Sequence, residues 1–246
     1  MLANITKKGG KVLDWFSADD EQTYNKILPS MPDDWRYRNE SVSYKLNSQG
    51  YRTKEWHEID WPSSTIVIGC SYVFGLGINE HETLCSLLGD SFVNLGVSGS
   101  SNHLMFYNSM RLIEQGIKPK SVILMFSDPS RYTHFNIKNN YVVPLGHWSI
   151  KEKEHTAYYR YYSENMNCNV HGTMMAVATE AIWKNYKVPT LAYSAYSSAL
   201  KDKFKLLPDQ IDFSRELNHP GTLTNKIWAE FIGRDLSSIN PTVDNS

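Results

Sequence analysis

The 246-residue chain contains only three cysteines, Cys70, Cys85 and Cys168, and no two of them stand at the spacing of a zinc ligand pair. That excludes a disulfide scaffold and fits a reducing compartment. Long hydrophobic runs are missing too. No stretch approaches the roughly 20 apolar residues that span a bilayer, and the N-terminal MLANITKKGGKVLDWF lacks the apolar core of a signal peptide. These features read as a soluble protein, cytoplasmic or released on lysis, with no membrane partner. Nor is there an excess of either charge: 25 Lys and Arg against 26 Asp and Glu leave a formal net charge of -1. So balanced a chain has no general field for attracting nucleic acid, and none is expected as a partner. His81-Glu82 is not followed by a second histidine at the spacing of a zinc helix. The expectation is accordingly no metal and no organic cofactor. Internal repeats and low-complexity blocks are absent from the pattern.

What is present describes an ordinary folded domain, with 41% hydrophobic and 21% charged residues. Residues 1–62 are polar and Trp-rich and read as an N-terminal extension or lid, with a short hairpin expected around Ser48-Gln49-Gly50. From Ser64 onward the character changes to one main domain, 63–236, followed by a flexible tail, 237–246. TIVIG, FVNL and SVILMF are short apolar runs suited to strands buried on both faces, and Val188–Tyr193 is a weaker fourth because of Pro189. Helical periodicity separates them. Glu80–Leu88 predicts a short helix, and Ser101–Gln115 predicts one that places Phe106, Met110, Ile113 and Ile117 along one side. A longer interrupted helical region is expected over 151–186, and an amphipathic helix over 222–236 with Leu223, Ile227 and Phe231 four apart and Trp228 and Ile232 beside them. Strands alternating with helices imply a parallel sheet covered on both faces, with sites gathered at the carboxyl ends of the strands. Within 151–186, Tyr158, Tyr159, Arg160, Tyr161 and Tyr162 fit a helix face or a sugar-stacking wall better than a nucleic-acid surface.

Three segments carry candidate chemistry. In IVIGCSYVFGLGI, a strand ends at Gly69 and Ser71 follows at a turn able to lift its hydroxyl and N–H above the sheet edge. VNLGVSGSSN feeds a small-residue loop into a helix, where backbone N–H groups suit a negative oxygen and Gly99 allows close approach. ELNHPG sets Glu216 three residues before His219, so that the carboxylate can orient the imidazole; Asp212 is an alternative orienter. Each segment alone also has a plain structural reading, as a loop, a helix cap or a surface histidine.

Together, in this order, the segments resemble the SGNH hydrolases, also called GDSL esterases and lipases, over roughly residues 64–236. GCSYVFGLG is similar to the family's GDS block, with Cys70 in place of Asp, and NLGVSGSSN to its second block. Glu216-Leu217-Asn218-His219-Pro220 is similar to its D-x-x-H-P block, with Glu for Asp. Even YKLNSQGYRTKEW resembles a polar segment with Gly-aromatic-Arg found ahead of the catalytic domain in some relatives. The resemblance implies a three-layer α/β/α sandwich with a central parallel sheet, a flavodoxin-like fold. It further implies Ser71 as nucleophile, His219 as base and Glu216 as its orienter, with the N–H groups of Ser71 and Gly99 in the oxyanion hole. The family's third-block asparagine is missing, because SVILMF runs into SDPSR. Asn102 or Ser127 is the expected substitute oxyanion donor, Arg131 the expected substrate contact, and Asp128 in that place would repel an oxyanion. The implied partner is a small-molecule or glycan ester and the implied activity a serine esterase acting on small acyl groups, with carbohydrate O-acetyl preferred. An O-acyltransferase, or a catalytically silent glycan-binding protein, uses the same framework.

Overall fold

The computed structural model describes residues 2, 8–136, 141–148, 156, 167–195 and 200–239. In chain order its strands are β1 (Val12–Leu13), β2 (Tyr44–Lys45), β3 (Thr65–Gly69), β4 (Phe92–Gly96), β5 (Ser121–Phe126), β6 (Tyr132–Asn136), β7 (Tyr141–Leu145), β8 (Thr190–Ser194) and β9 (Lys205–Leu206). The α-helices are α1 (Glu21–Ile27), α2 (Ser71–Phe74), α3 (Leu84–Leu88), α4 (Asn102–Glu114), α5 (Asn167–Asn185) and α6 (Thr222–Ile239).

The four apolar runs, joined at one edge by β9, which the sequence pattern did not announce, form one five-stranded sheet in the order β4-β3-β5-β8-β9, and every pairing in it is parallel. Every residue of β3 and of β5 is buried, as a strand covered on both faces requires. Side chains alternate between the faces. Ile66, Ile68, Val122 and Leu124 pack with Leu104 and Leu112 of α4 and Trp183 of α5. Val67, Ile123 and Met125 pack on the other face with Leu84 of α3 and Trp228 and Ile232 of α6. The molecule is therefore an α/β three-layer sandwich. Because the chain leaves β3 for β4 on one side and then returns for β5 on the other, the strand order reverses beside β3. Loops leaving the carboxyl ends there diverge and open a crevice.

Pro189 does not cost the sheet a bond, because it precedes β8 and its carbonyl accepts from Val122 N at 2.9 Å. The expected helix over Glu80–Leu88 is a 3-10 turn, Glu80–Glu82, followed by α3, with Thr83 between them in extended geometry as the cap of α3. In α4 the inward face is Leu104, Met105, Asn108 and Leu112, while Phe106, Met110 and Ile113 are only half-buried. In α6 it is Trp228, Ala229 and Ile232, and Leu223 is exposed. In both helices the hydrophobic pattern is broad, and packing against the sheet selects which stripe faces inward. Tyr158–Tyr162, with the rest of the 157–166 segment, lies outside the described residues.

Ahead of the sheet, the turn at Ser48-Gln49-Gly50 exists, with Gly50 N donating to Asn47 O and Asn47 N to Tyr51 O. It does not make the expected hairpin, since β2 pairs with β1 instead. The physical reason lies in Arg52. Its buried guanidinium donates to Gly75 O at 2.6 Å and Ile78 O at 2.9 Å in the loop after α2 and to Ser43 O at 2.9 Å beside β2, which commits the chain after the turn to these carbonyls through a side chain and not to a backbone ladder with β2.

Leu124 is wholly buried in β5 between two layers. Leu124→Ala is expected to lower unfolding stability by about 2–5 kcal/mol in urea titrations. Val12→Ala, at a residue 65% exposed, is expected to change it by no more than about 0.5 kcal/mol.

Candidate active site

Ser71 sits at the carboxyl end of β3 as the first residue of α2, with Cys70 as the extended N-cap and Gly75 closing the turn in the left-handed region. An N–H at this first position has no carbonyl of its own turn to bond. The turn is held by Asn94 of β4, whose Nδ2 donates to Val73 O at 2.8 Å while its Oδ1 accepts from Gly96 N at 2.9 Å. Gly96 is required by this packing. A Cβ there would lie 2.3 Å from Phe74 N, inside the helical turn that carries the serine.

His219 and Glu216 come from the loop between β9 and α6. His219 Nε2 lies 2.8 Å from Ser71 Oγ, and His219 Nδ1 lies 2.6 Å from Glu216 Oε1. The carboxylate accepts at Nδ1, so the neutral ring carries its proton there and presents Nε2 as the acceptor for the Ser71 hydroxyl. Glu216 is only 3% exposed and needs every partner it has. Its Oε1 also accepts from His219 N at 3.0 Å and from Ser214 Oγ at 2.7 Å, and its Oε2 from Asn218 Nδ2 at 3.0 Å. Burial works to raise this carboxyl, but hydrogen bonds from His219, Ser214 and Asn218 and attraction to the ring outweigh it. The group ends below its ordinary value of 4.5. Between the two residues, Leu217 adopts φ +64, a conformation that costs a bulky residue about 1–3 kcal/mol and persists only where its surroundings hold it. Tyr72 meets the imidazole edge-on at 5.5 Å and closes one side of the ring.

These groups open into a cleft of about 780 Å³, within the usual range for a small-molecule site. Gly99, at φ +77, lines it beside Ser71. A Cβ on Gly99 would lie 3.2 Å from Pro144 Cβ, so the β6-β7 hairpin folds directly over this loop. Arg131 also lines the cleft, with its guanidinium 5.1 Å from the ring of Trp148. Sequence reading missed the hairpin and Trp148. Their only signal was Pro144 and Gly146-His147-Trp148 after a polar stretch, and no periodicity ties that stretch to the site.

Two expected oxyanion donors are corrected. Asn102 Nδ2 donates to Ser127 O and Gly172 O, both at 3.2 Å, and its Oδ1 accepts from Ser127 N at 3.0 Å and Ser127 Oγ at 3.2 Å. Both side chains are wholly buried and neither lines the cleft. They fasten α4 to the end of β5, and polar groups this deep are committed to one another. Asp212 is likewise engaged elsewhere, accepting from Leu223 N and Thr224 N at the start of α6. Among the described residues, no cluster of His, Cys, Asp and Glu is arranged to hold a metal ion, and no helix is long and apolar enough to cross a membrane.

No family model and no curated protein matches the sequence. Among solved structures the chain is similar to a carbohydrate acetylesterase family member from Sinorhizobium meliloti, at 8% identity, 72% of this chain, 98% of that one and a TM-score of 0.42. A second is a G-D-S-L family lipolytic protein from Veillonella parvula, at 13% identity, 68% and 94% of the two chains and a TM-score of 0.39. A third is the SGNH-hydrolase family esterase AlinE4, at 14% identity, 73% and 98% of the chains and a TM-score of 0.37. The geometry of Ser71, His219 and Glu216, and not these distant likenesses, carries the functional reading.

A carboxyl whose folded value is depressed contributes stability that is fully present above its unfolded value, near 4.5, and is lost as pH falls through the lower folded value. Wild type is therefore expected to lose stability more steeply than Glu216→Gln as pH falls below about 4.5 in acid denaturation followed by circular dichroism. Parallel acid limbs for the two proteins would contradict this.

Proposed function

We propose that the chain is a divergent SGNH-type serine esterase that hydrolyses small acyl esters, with carbohydrate O-acetyl groups as the preferred class. The observation that carries the proposal is the unbroken hydrogen-bond chain from the Glu216 carboxylate through the His219 ring to the Ser71 hydroxyl. In the reaction His219 Nε2 takes the Ser71 proton as Oγ attacks the ester carbonyl, and Glu216 stabilises the imidazolium that forms. The tetrahedral oxygen is met by the N–H groups of Ser71 and Gly99. His219 then gives its proton to the leaving alcohol, and water, activated by the same nitrogen, releases the acyl group.

With Asn102 and Ser127 engaged elsewhere, this oxyanion hole has two backbone donors and no amide side chain. Loss of one such donor costs about 3 kcal/mol of barrier, roughly a hundredfold in rate, which predicts a slow enzyme. Substrate selection falls to the cleft walls. Trp148, 39% exposed beside Gly99, offers a flat apolar face of the kind on which a sugar ring stacks, and Arg131 backs it as a contact for the substrate's polar groups.

A fluorophosphonate probe is expected to label wild type at Ser71, and Ser71→Ala is expected to abolish labelling. Hydrolysis of p-nitrophenyl acetate should fall on the order of 10³-fold or more in Ser71→Ala and in His219→Ala. Failure of wild type to label would favour the silent glycan-binding reading. Labelling that survives Ser71→Ala would place the nucleophile elsewhere.

A further inference from the structure

The segment Trp15–Asp19 is tied, directly or through Tyr44, to the loops beside each proposed catalytic group. Ser17 Oγ accepts from Ser98 Oγ at 2.9 Å, next to Gly99. Asp19 Oδ2 accepts from the Tyr44 hydroxyl, whose oxygen in turn accepts from Gly77 N at 2.8 Å, in the loop after α2. The strongest tie reaches the third loop. Arg215, the residue before Glu216, donates from Nε to Asp19 Oδ1 at 2.9 Å and from Nη2 to Asp19 Oδ2 at 2.7 Å. Both partners are buried, Arg215 at 4% and Asp19 at 1% exposure. The guanidinium also donates to Asp14 O at 2.7 Å and lies 3.9 Å from the ring of Trp15, while Arg215 N donates to Gly77 O at 3.0 Å.

A buried ion pair of this kind contributes little net stability, because desolvation of the two charges offsets their attraction. Its bidentate form instead fixes direction, since two parallel N–H···O bonds allow the arginine one orientation. The backbone so oriented is the one from which Glu216 projects, and the strained Leu217 that follows leaves little slack before His219. We infer that Asp19 is a positioning residue for the triad: through Arg215 it sets the place of the Glu216 carboxylate and hence the aim of the His219 ring at Ser71. On this inference the N-terminal extension is a built part of the active site and not a detachable lid. The inference rests on the esterase reading, because it assigns Asp19 a role in that reaction. Asp19 itself does not line the cleft, although Phe16, Ser17 and Ala18 beside it do, so its loss is expected to act more on turnover than on substrate binding.

The test uses the full chain. Asp19→Asn is expected to lower kcat on p-nitrophenyl acetate about 10- to 100-fold, the cost of a misplacement near 1 Å, with KM changed less than about twofold. Since this variant leaves a buried guanidinium unpaired and can fail to fold, the double variant Asp19→Leu with Arg215→Met removes both charges. The double variant is expected to fold, to melt below wild type because the Tyr44 hydroxyl and Asp14 O lose these partners, and to retain the low kcat. A second readout is the downfield proton resonance of the His219–Glu216 hydrogen bond, assigned by its loss in Glu216→Gln and expected to be shifted or lost in the double variant. A folded double variant with wild-type kcat and an unmoved resonance would overturn the inference. Failure of both variants to fold would make the pair a folding requirement and overturn it as well. If wild type shows no Ser71-dependent hydrolysis, the esterase reading fails, and the resonance alone then decides whether Asp19 positions the ring.

Discussion

A carboxylate taken out of water must be surrounded by donors, and the architecture at the rim of the sheet follows from meeting that demand at Glu216. Four hydrogen bonds reach its two oxygens, from His219 Nδ1, His219 N, Ser214 Oγ and Asn218 Nδ2. All four donors come from the same short loop, so the loop is wound around the carboxylate and Leu217 is forced into the left-handed region. The imidazole has one orientation left, and its far nitrogen faces Ser71.

The sheet supplies the other half of the alignment. Parallel strands buried on both faces end together, and the reversal of strand order beside β3 sends successive loops apart at that edge. Ser71 leaves β3, Gly99 follows β4 and Arg131 follows β5, so residues far apart in sequence meet around one cleft. The small residues at this rim serve approach. Gly96 lets β4 touch the turn that carries the serine, and Asn94 ties the two together.

Around this frame the described residues ahead of the sheet behave as structure and not as decoration. Arg52 fills the carbonyls of the loop after α2, and Asp19 holds the arginine before Glu216. Tyr37, Val42, Tyr44 and Leu46 form an apolar cluster with Phe74 and Leu76, the residues that follow the proposed nucleophile. Burying each such side chain contributes about 1.5–3 kcal/mol, so the extension and the turn that carries Ser71 stabilise one another.

Sequence by itself was enough for the buried strands, since unbroken β-branched runs such as TIVIG admit few other placements; Ser71, Gly99, Glu216 and His219 stood out only because three short segments in this order resemble a known family, and each segment alone also reads as an ordinary loop, cap or surface histidine. The sequence also determined the short separation of Glu216 from His219, because three residues of chain cannot carry them far apart. Tertiary structure decided everything that depended on which long-range partner won. Asn102 and Ser127 became mutual partners under α4, not oxyanion donors, because a buried amide takes whatever backbone the packing delivers. β2 joined β1, the inward stripe of α4 shifted, and Trp148 came to stand over Gly99 through a hairpin with no periodic signature. Local pattern is readable where a residue's preference is set by its neighbours in the chain; where several partners satisfy the same group equally well, only the packed molecule chooses among them.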